Sequence, residues 1–107
     1  MKISFDGYEL KIIWKLYRHK YYGGKHTSID NLRKGFERKL GTEINNAIDK
    51  LVKNQIIIKE KKTKEDHVCL NVKNIKVINK ALDWYAHNMN QIDKKHLEKI
   101  YFEVELE

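Results

Sequence analysis

Proline is absent from the 107 residues, where roughly five would be average, and glycine occurs only five times. Element boundaries must therefore be read from capping residues, the few glycines and changes of period. A single cysteine, Cys69, excludes an intramolecular disulfide and leaves no partner for a cysteine-rich zinc module. It points to a reducing interior. No run approaches the roughly 18 apolar residues of a membrane span, and Met1-Lys2-Ile3-Ser4-Phe5-Asp6-Gly7 lacks the apolar stretch of a signal peptide. The expectation is a soluble cytoplasmic protein. At 12.9 kDa the chain should bury roughly two-thirds of its unfolded surface, enough for one core, so residues 1–107 are expected to form a single domain. A large multi-domain enzyme is excluded.

What is present is charge and aromatic bulk. Hydrophobic residues make up 41% and charged residues 35% of the chain, and Trp14, Trp84, six tyrosines and three phenylalanines can anchor a core. Lys and Arg number 22 against 15 Asp and Glu, a net charge of +7. A lysine-rich composition of 19 Lys, 13 Ile and 9 Asn beside only 3 Ala and 3 Arg supplies cations without purpose. It does not explain where they fall. Residues 1–74 carry net +8 and residues 75–107 net −1.

Residues 2–5 alternate as a short strand that Asp6-Gly7 stops. From Tyr8 to about Tyr21, Leu10, Ile13, Trp14 and Tyr17 recur at helical spacing, with Gly23-Gly24 as the stop. Thr27-Ser28-Ile29-Asp30 has the spacing of a capping box, and Ile29, Leu32 and Phe36 predict a short helix ending near Lys39. Ile44, Ala47, Ile48, Leu51 and Val52 form the apolar stripe of a third helix, whose other face shows Glu43, Asn45, Asn46, Asp49, Lys50 and Lys53. Ile56-Ile57-Ile58 and the alternating Val68, Leu70 and Val72 then predict a hairpin with a lysine-rich tip. Ile75, Ile78, Leu82, Tyr85 and Met89 step by three and four, the spacing of a helix packed along one seam. Residues 91–107 fit either a helix or a strand. The reading favoured is a short helix over 93–99 and then a strand paired with residues 2–5, where Lys2 would complement the glutamates. The expected fold class is mainly α with a small β-hairpin, α+β.

The order helix, Gly23-Gly24, short helix, turn, amphipathic helix and hairpin resembles the winged helix-turn-helix superfamily over residues 8–73. The likeness rests on Thr27-Ser28-Ile29-Asp30-Asn31-Leu32, on Thr42 to Val52, and on Asn54-Gln55-Ile56-Ile57-Ile58 opening the hairpin. The helix after it resembles the dimerising C-terminal helix of PadR-like and MarR-like prokaryotic or archaeal regulators, which makes residues 74–107 a candidate dimerisation segment. Asn54 stands where many such regulators carry glycine, and Asn is the next-best residue for a left-handed C-cap.

The resemblance implies a DNA-binding transcriptional regulator, with helix 42–54 in the major groove and hairpin 56–72 as the wing. Asn45 and Asn46 can match the donor and acceptor of adenine, Glu43 and Asp49 can accept from cytosine, and Thr42 caps the helix or touches phosphate. The alternative is a solvated helix face. Lys50, Lys53, Lys59, Lys61, Lys62 and Lys64 are candidates for phosphate contact, extended by Arg33, Lys34, Arg38 and Lys39. Lys11, Lys15 and Arg18 read as a solvated face of the first helix. Ile75, Ile78, Leu82, Tyr85 and Met89 serve either a homodimer seam or packing against the first helix, where Trp14 and Tyr17 offer surface.

His19, His26, His67, His87 and His96 fall on different elements without metal-ligand spacing, and Cys69 reads as a packing residue. No phosphate loop and no catalytic constellation is present, so no enzyme, cofactor, metal or small-molecule effector is expected. The partner expected is double-stranded DNA, with no membrane. A rival reading takes the same fold as a protein-interaction module of a transcription, replication or viral assembly, motivated by Glu43, Asp49 and the acidic end Glu103, Glu105 and Glu107. RNA binding through the basic face is a third.

Overall fold

Asp6-Gly7-Tyr8-Glu9 starts the first helix with a reciprocal capping box. Asp6 Oδ1 accepts from Glu9 N at 2.9 Å, and Glu9 Oε1 accepts from Asp6 N at 3.1 Å. The structure, a computed structural model, describes residues 2–62, 64–88 and 94–105, with only the backbone of Lys94 and Lys95. Strand β1 (Lys2–Asp6) runs directly into this cap and helix α1 (Gly7–Arg18). Gly7 is needed for close approach, because a Cβ there would lie 2.5 Å from the carbonyl oxygen of Leu97.

Helix α1 stops at Arg18, short of the expected Tyr21, through a Schellman turn. Tyr21 N donates to Leu16 O at 2.9 Å and Lys20 N to Tyr17 O at 3.0 Å, with Lys20 at φ 60°. Gly23 and Gly24, also at positive φ, shape the loop beyond and not the helix end. Strand β2 (Thr27–Ser28) follows, and Ser28 Oγ caps helix α2 (Ile29–Arg33) by accepting from Asn31 N at 3.0 Å. This helix ends at Arg33 and not near Lys39. The ammonium of Lys15 donates to Leu32 O at 2.9 Å and to Asn31 O at 3.5 Å, satisfying carbonyls that another turn of helix would otherwise engage. Gly35 gives that ammonium room, since a Cβ would meet Lys15 Nζ at 2.5 Å. A 3₁₀ turn, Arg38–Leu40, leads into helix α3 (Gly41–Lys53).

Helix α3 ends as α1 does. Ile56 N donates to Leu51 O at 2.9 Å and Gln55 N to Val52 O at 3.0 Å. The left-handed residue is therefore Gln55 at φ 60°, and the expectation of Asn54 is corrected, since Asn54 has φ −85°. The reason is the hydrophobic contact that completes the motif: Ile56 must reach Leu51, both fully buried, which puts the reversal on the residue before it. The Gln55 carbonyl is then held by Asn71 Nδ2 at 2.8 Å and Asn74 Nδ2 at 2.7 Å.

Strands β3 (Ile57–Lys61) and β4 (Asp66–Leu70) form the expected hairpin, and β2 joins it to give a three-stranded antiparallel sheet in the order β2-β4-β3. The register pairs Thr27 with Val68, Ile57 with Leu70 and Lys61 with Asp66. Ile57, Val68, Leu70 and Thr27 are buried on the helix side. A second, two-stranded sheet pairs β1 with β5 (Tyr101–Glu105), matching Ile3 to Val104 and Phe5 to Phe102. Lys2 lies 3.3 Å from Glu103, and Lys94–Lys99 form 3₁₀ turns broken at His96. Among the described residues the fold is thus α+β, four α-helices with two small antiparallel sheets, and no helix is long and apolar enough to cross a membrane.

Helix α4 (Ile75–Asn88) follows a 3₁₀ turn at Val72–Asn74 and packs along α1. Ile78, Leu82 and Tyr85 are buried within the chain, with the Tyr85 ring 5.4 Å from that of Trp14, while Ile75 is 44% exposed. Met89 lies outside the described residues. Of the two alternatives for this stripe, packing against α1 is seen for Tyr85 at Trp14, and Ile78 and Leu82 are likewise buried within the chain, with Val77 and Ala81 widening the buried side.

Two substitutions check this account. Gln55→Gly should raise unfolding free energy by up to about 1 kcal/mol by relieving the left-handed backbone, whereas Asn54→Gly should not. Denaturant titration distinguishes them. Leu82→Ala should cost about 2–5 kcal/mol of stability while leaving the sedimenting mass equal to that of the unaltered protein.

Candidate nucleic-acid interface

Helix α3 buries Ile44, Ala47, Ile48 and Leu51 and exposes every residue assigned to base reading: Thr42, Glu43, Asn45, Asn46 and Asp49. Helical spacing sorts these five. At 100° per residue, Thr42, Asn46, Asp49 and Lys53 lie nearest the direction opposite the core, Asn45 lies on the flank toward α2, and Glu43 and Lys50 lie on the opposite flank. The two flanks differ in charge.

On the first flank Arg33 bridges α2 and α3. Its Nη2 donates to Asn45 Oδ1, and its Nη1 lies 3.5 Å from Asp30 Oδ1. Arg33 Nε is buried with no partner. The guanidinium of Arg33, a residue assigned to phosphate contact, thus positions Asn45. Lys34, Arg38 and Lys39 beside it are exposed, with Lys39 3.3 Å from Glu37.

On the second flank a depression of about 200 Å³ is lined by Asp6, Tyr8, Glu9, Glu43, Asn46, Ala47 and Lys50. Three carboxylates face one ammonium there. Lys50, assigned to phosphate, instead places Nζ 3.3 Å from Glu9 Oε1. Glu9 is fully buried and its Oε2 has no partner. Burial pushes the Glu9 carboxyl above the usual 4.5; the Asp6 backbone N–H opposes this, the Asp6 charge adds to it, and Lys50 opposes it. The sequence carried the signal for this group as the Asp-x-x-Glu of a capping box, but its burial depends on α3 lying across α1.

The hairpin divides its cations by strand alternation. Lys59 and Lys61 continue the row of Ile57 past the edge of the core, on the helix side of the sheet, and both are exposed. Lys62 lies 3.2 Å from Glu60, and Lys61 stands opposite Asp66 in register. Lys53 and Lys64 are exposed. Lys11 and Lys15 are not a solvated face: Lys11 Nζ sits 5.0 Å from the Phe36 ring centroid, and Lys15 binds the end of α2. Burial and then the neighbouring Lys11 charge hold the Lys15 ammonium below the usual lysine range.

The arrangement therefore sets an exposed polar helix face between a flank toward α2, whose neighbours include Lys34, Arg38 and Lys39, and an acidic flank formed by Asp6, Glu9 and Glu43, with the hairpin following the end of the helix. Among the described residues no group of three or more His, Cys, Asp and Glu side chains is placed to hold a metal ion. The chain matches no protein-family profile, no curated protein and no solved structure.

Because Glu9 titrates above its unfolded value, the folded state holds its proton more tightly. Stability should fall as pH rises from 4.5 through the raised value. Glu9→Gln keeps an acceptor for Asp6 N and removes this dependence. Denaturant titrations should show Gln gaining on Glu between pH 4.5 and neutrality, with little difference below that window.

Proposed function

We propose that the chain is a winged helix-turn-helix DNA-binding protein acting in transcription regulation, with α3 as the recognition helix and the β3–β4 hairpin as the wing. The observation that carries this reading is the sheet order β2-β4-β3. It ties the connection between α1 and α2 to the hairpin, so that the outer face of α3 stays open while the hairpin leaves the end of that helix through the Gln55 turn. Strand β2 is too short to announce itself in the sequence, yet it is what anchors the wing to the helices.

In this reading Asn46, together with Thr42 and Asp49, meets base edges, and Asn45 presents a carboxamide already oriented by Arg33. Lys34, Arg38, Lys39 and Lys53 meet phosphates on one side, and Lys59, Lys61 and Lys64 do so from the wing. A homodimer on DNA requires a surface other than Ile78, Leu82 and Tyr85, which the chain itself covers. The acidic depression beside Asn46 favours one second reading, a protein-interaction module whose partner presents a basic side chain to Asp6 and Glu43.

Mobility-shift titration with duplex DNA at several salt concentrations tests the proposal. Removing two phosphate contacts by Lys59→Ala with Lys61→Ala should reduce the slope of log K against log salt by about 1.8 and weaken all sequences alike. Asn46→Ala should narrow the gap between preferred and random sequence by about 1–3 kcal/mol. Absence of binding to any duplex at low salt would overturn the DNA reading and favour the interaction module.

A further inference from the structure

His26 and His67 are 41 residues apart in the chain, and nothing in their spacing suggests a site. Pairing of β2 with β4 brings them together. Their Nδ1 atoms are 2.8 Å apart, with ring centroids 4.8 Å apart and planes inclined at 73°. Two neutral imidazoles in this geometry require one Nδ1 to carry a proton and the other to offer its lone pair. Both nitrogens are also ligand atoms, and imidazole donors suit late divalent transition-metal ions, with affinity rising from Ni²⁺ to Cu²⁺.

From this geometry we propose that His26 and His67 form a binding site for a divalent late transition-metal ion, Ni²⁺ or Cu²⁺, held through both Nδ1 atoms with water in the remaining positions. Breaking the Nδ1–Nδ1 hydrogen bond and rotating both rings turns the two lone pairs toward one ion. Both histidines are partly exposed, so an ion can enter while keeping part of its water shell. The surroundings suit a cation. Glu65 Oε1 lies 3.8 Å from His67 Nε2, outside hydrogen-bond reach but close enough to add negative charge. Glu60 stands directly across the ladder from His67, adding negative charge. Cys69 shares that face of β4 and is partly buried. The ion would join the chain before β2 to the hairpin, adding to the β2–β4 pairing and to the hydrogen bond that Leu70 N donates to Tyr21 O.

Ni²⁺ is the probe, because the cysteine does not reduce it. Isothermal titration of the untagged full chain with nickel chloride near neutral pH should show one ion per chain. His26→Asn and His67→Asn should each weaken binding at least about tenfold, since loss of a direct ligand costs no less than loss of an outer-shell partner. His87→Asn should leave it unchanged. On the unaltered protein, paramagnetic broadening in NMR spectra should begin at His26 and His67 and reach Ser28 and Cys69, which requires no variant to fold. No binding, binding retained in both variants, or broadening centred on another histidine would overturn the site and identify the contact as a hydrogen bond only.

Discussion

The helix α1 is short for the work it does: seven of its twelve residues are buried, and α2, α3, α4, β1, β4 and the 3₁₀ segment before β5 all pack against it. Leu10, Ile12, Ile13 and Leu16 are almost completely removed from water, and each neighbouring element buries its own stripe by covering one side of them. At roughly 25 cal/mol per Å² of apolar surface, burial of these four side chains stabilises the fold at the point its neighbouring elements share. It also dictates polar details far from the apolar residues. Glu9 is buried because α3 crosses the start of α1, Lys15 is drawn to the end of α2 because that helix stops beside it, and Gly7 has no room for a side chain because the Leu97 backbone lies on it.

The same packing gives α3 its two unlike flanks. The side turned toward the start of α1 inherits Asp6 and Glu9 and becomes acidic, while the side turned toward α2 inherits Arg33, Lys34 and the cations of the 3₁₀ turn, Arg38 and Lys39. A charge count along the chain registers the excess of positive charge but not its separation across one helix. Electrostatic attraction of a polyanion depends on that separation, since a carboxylate beside the reading face repels phosphate over a Debye length of about 8 Å.

Much of the fold was legible in local pattern. Ile44, Ala47, Ile48 and Leu51 announce α3, Val68 and Leu70 announce β4, and the alternation near the C-terminus announces a strand that does pair with residues 2–5. What failed was of two kinds. Helix ends were misplaced where a Schellman turn forced a left-handed Lys20 or Gln55, because the choice is made by burying Tyr21 or Ile56 against the preceding turn and not by the residue that reverses the chain. The solvated-face reading failed where a long cation found an internal partner, Lys15 at Leu32 and Lys11 over Phe36, and Lys50 pairs with the buried Glu9 in the same way.

The sequence by itself determined the element types, the amphipathic faces and the positive balance of the first 74 residues, because these follow from local periodicity and from charges that no fold can change. Only the tertiary structure decided which apolar stripe is covered within the chain, which lysines keep their charge for solvent, and that β2 joins the hairpin and sets His26 against His67. Those outcomes depend on contacts between residues tens of positions apart. A stripe such as Ile78, Leu82 and Tyr85 is equally apolar whether a second chain or α1 lies on it, and only the packed helix settles which.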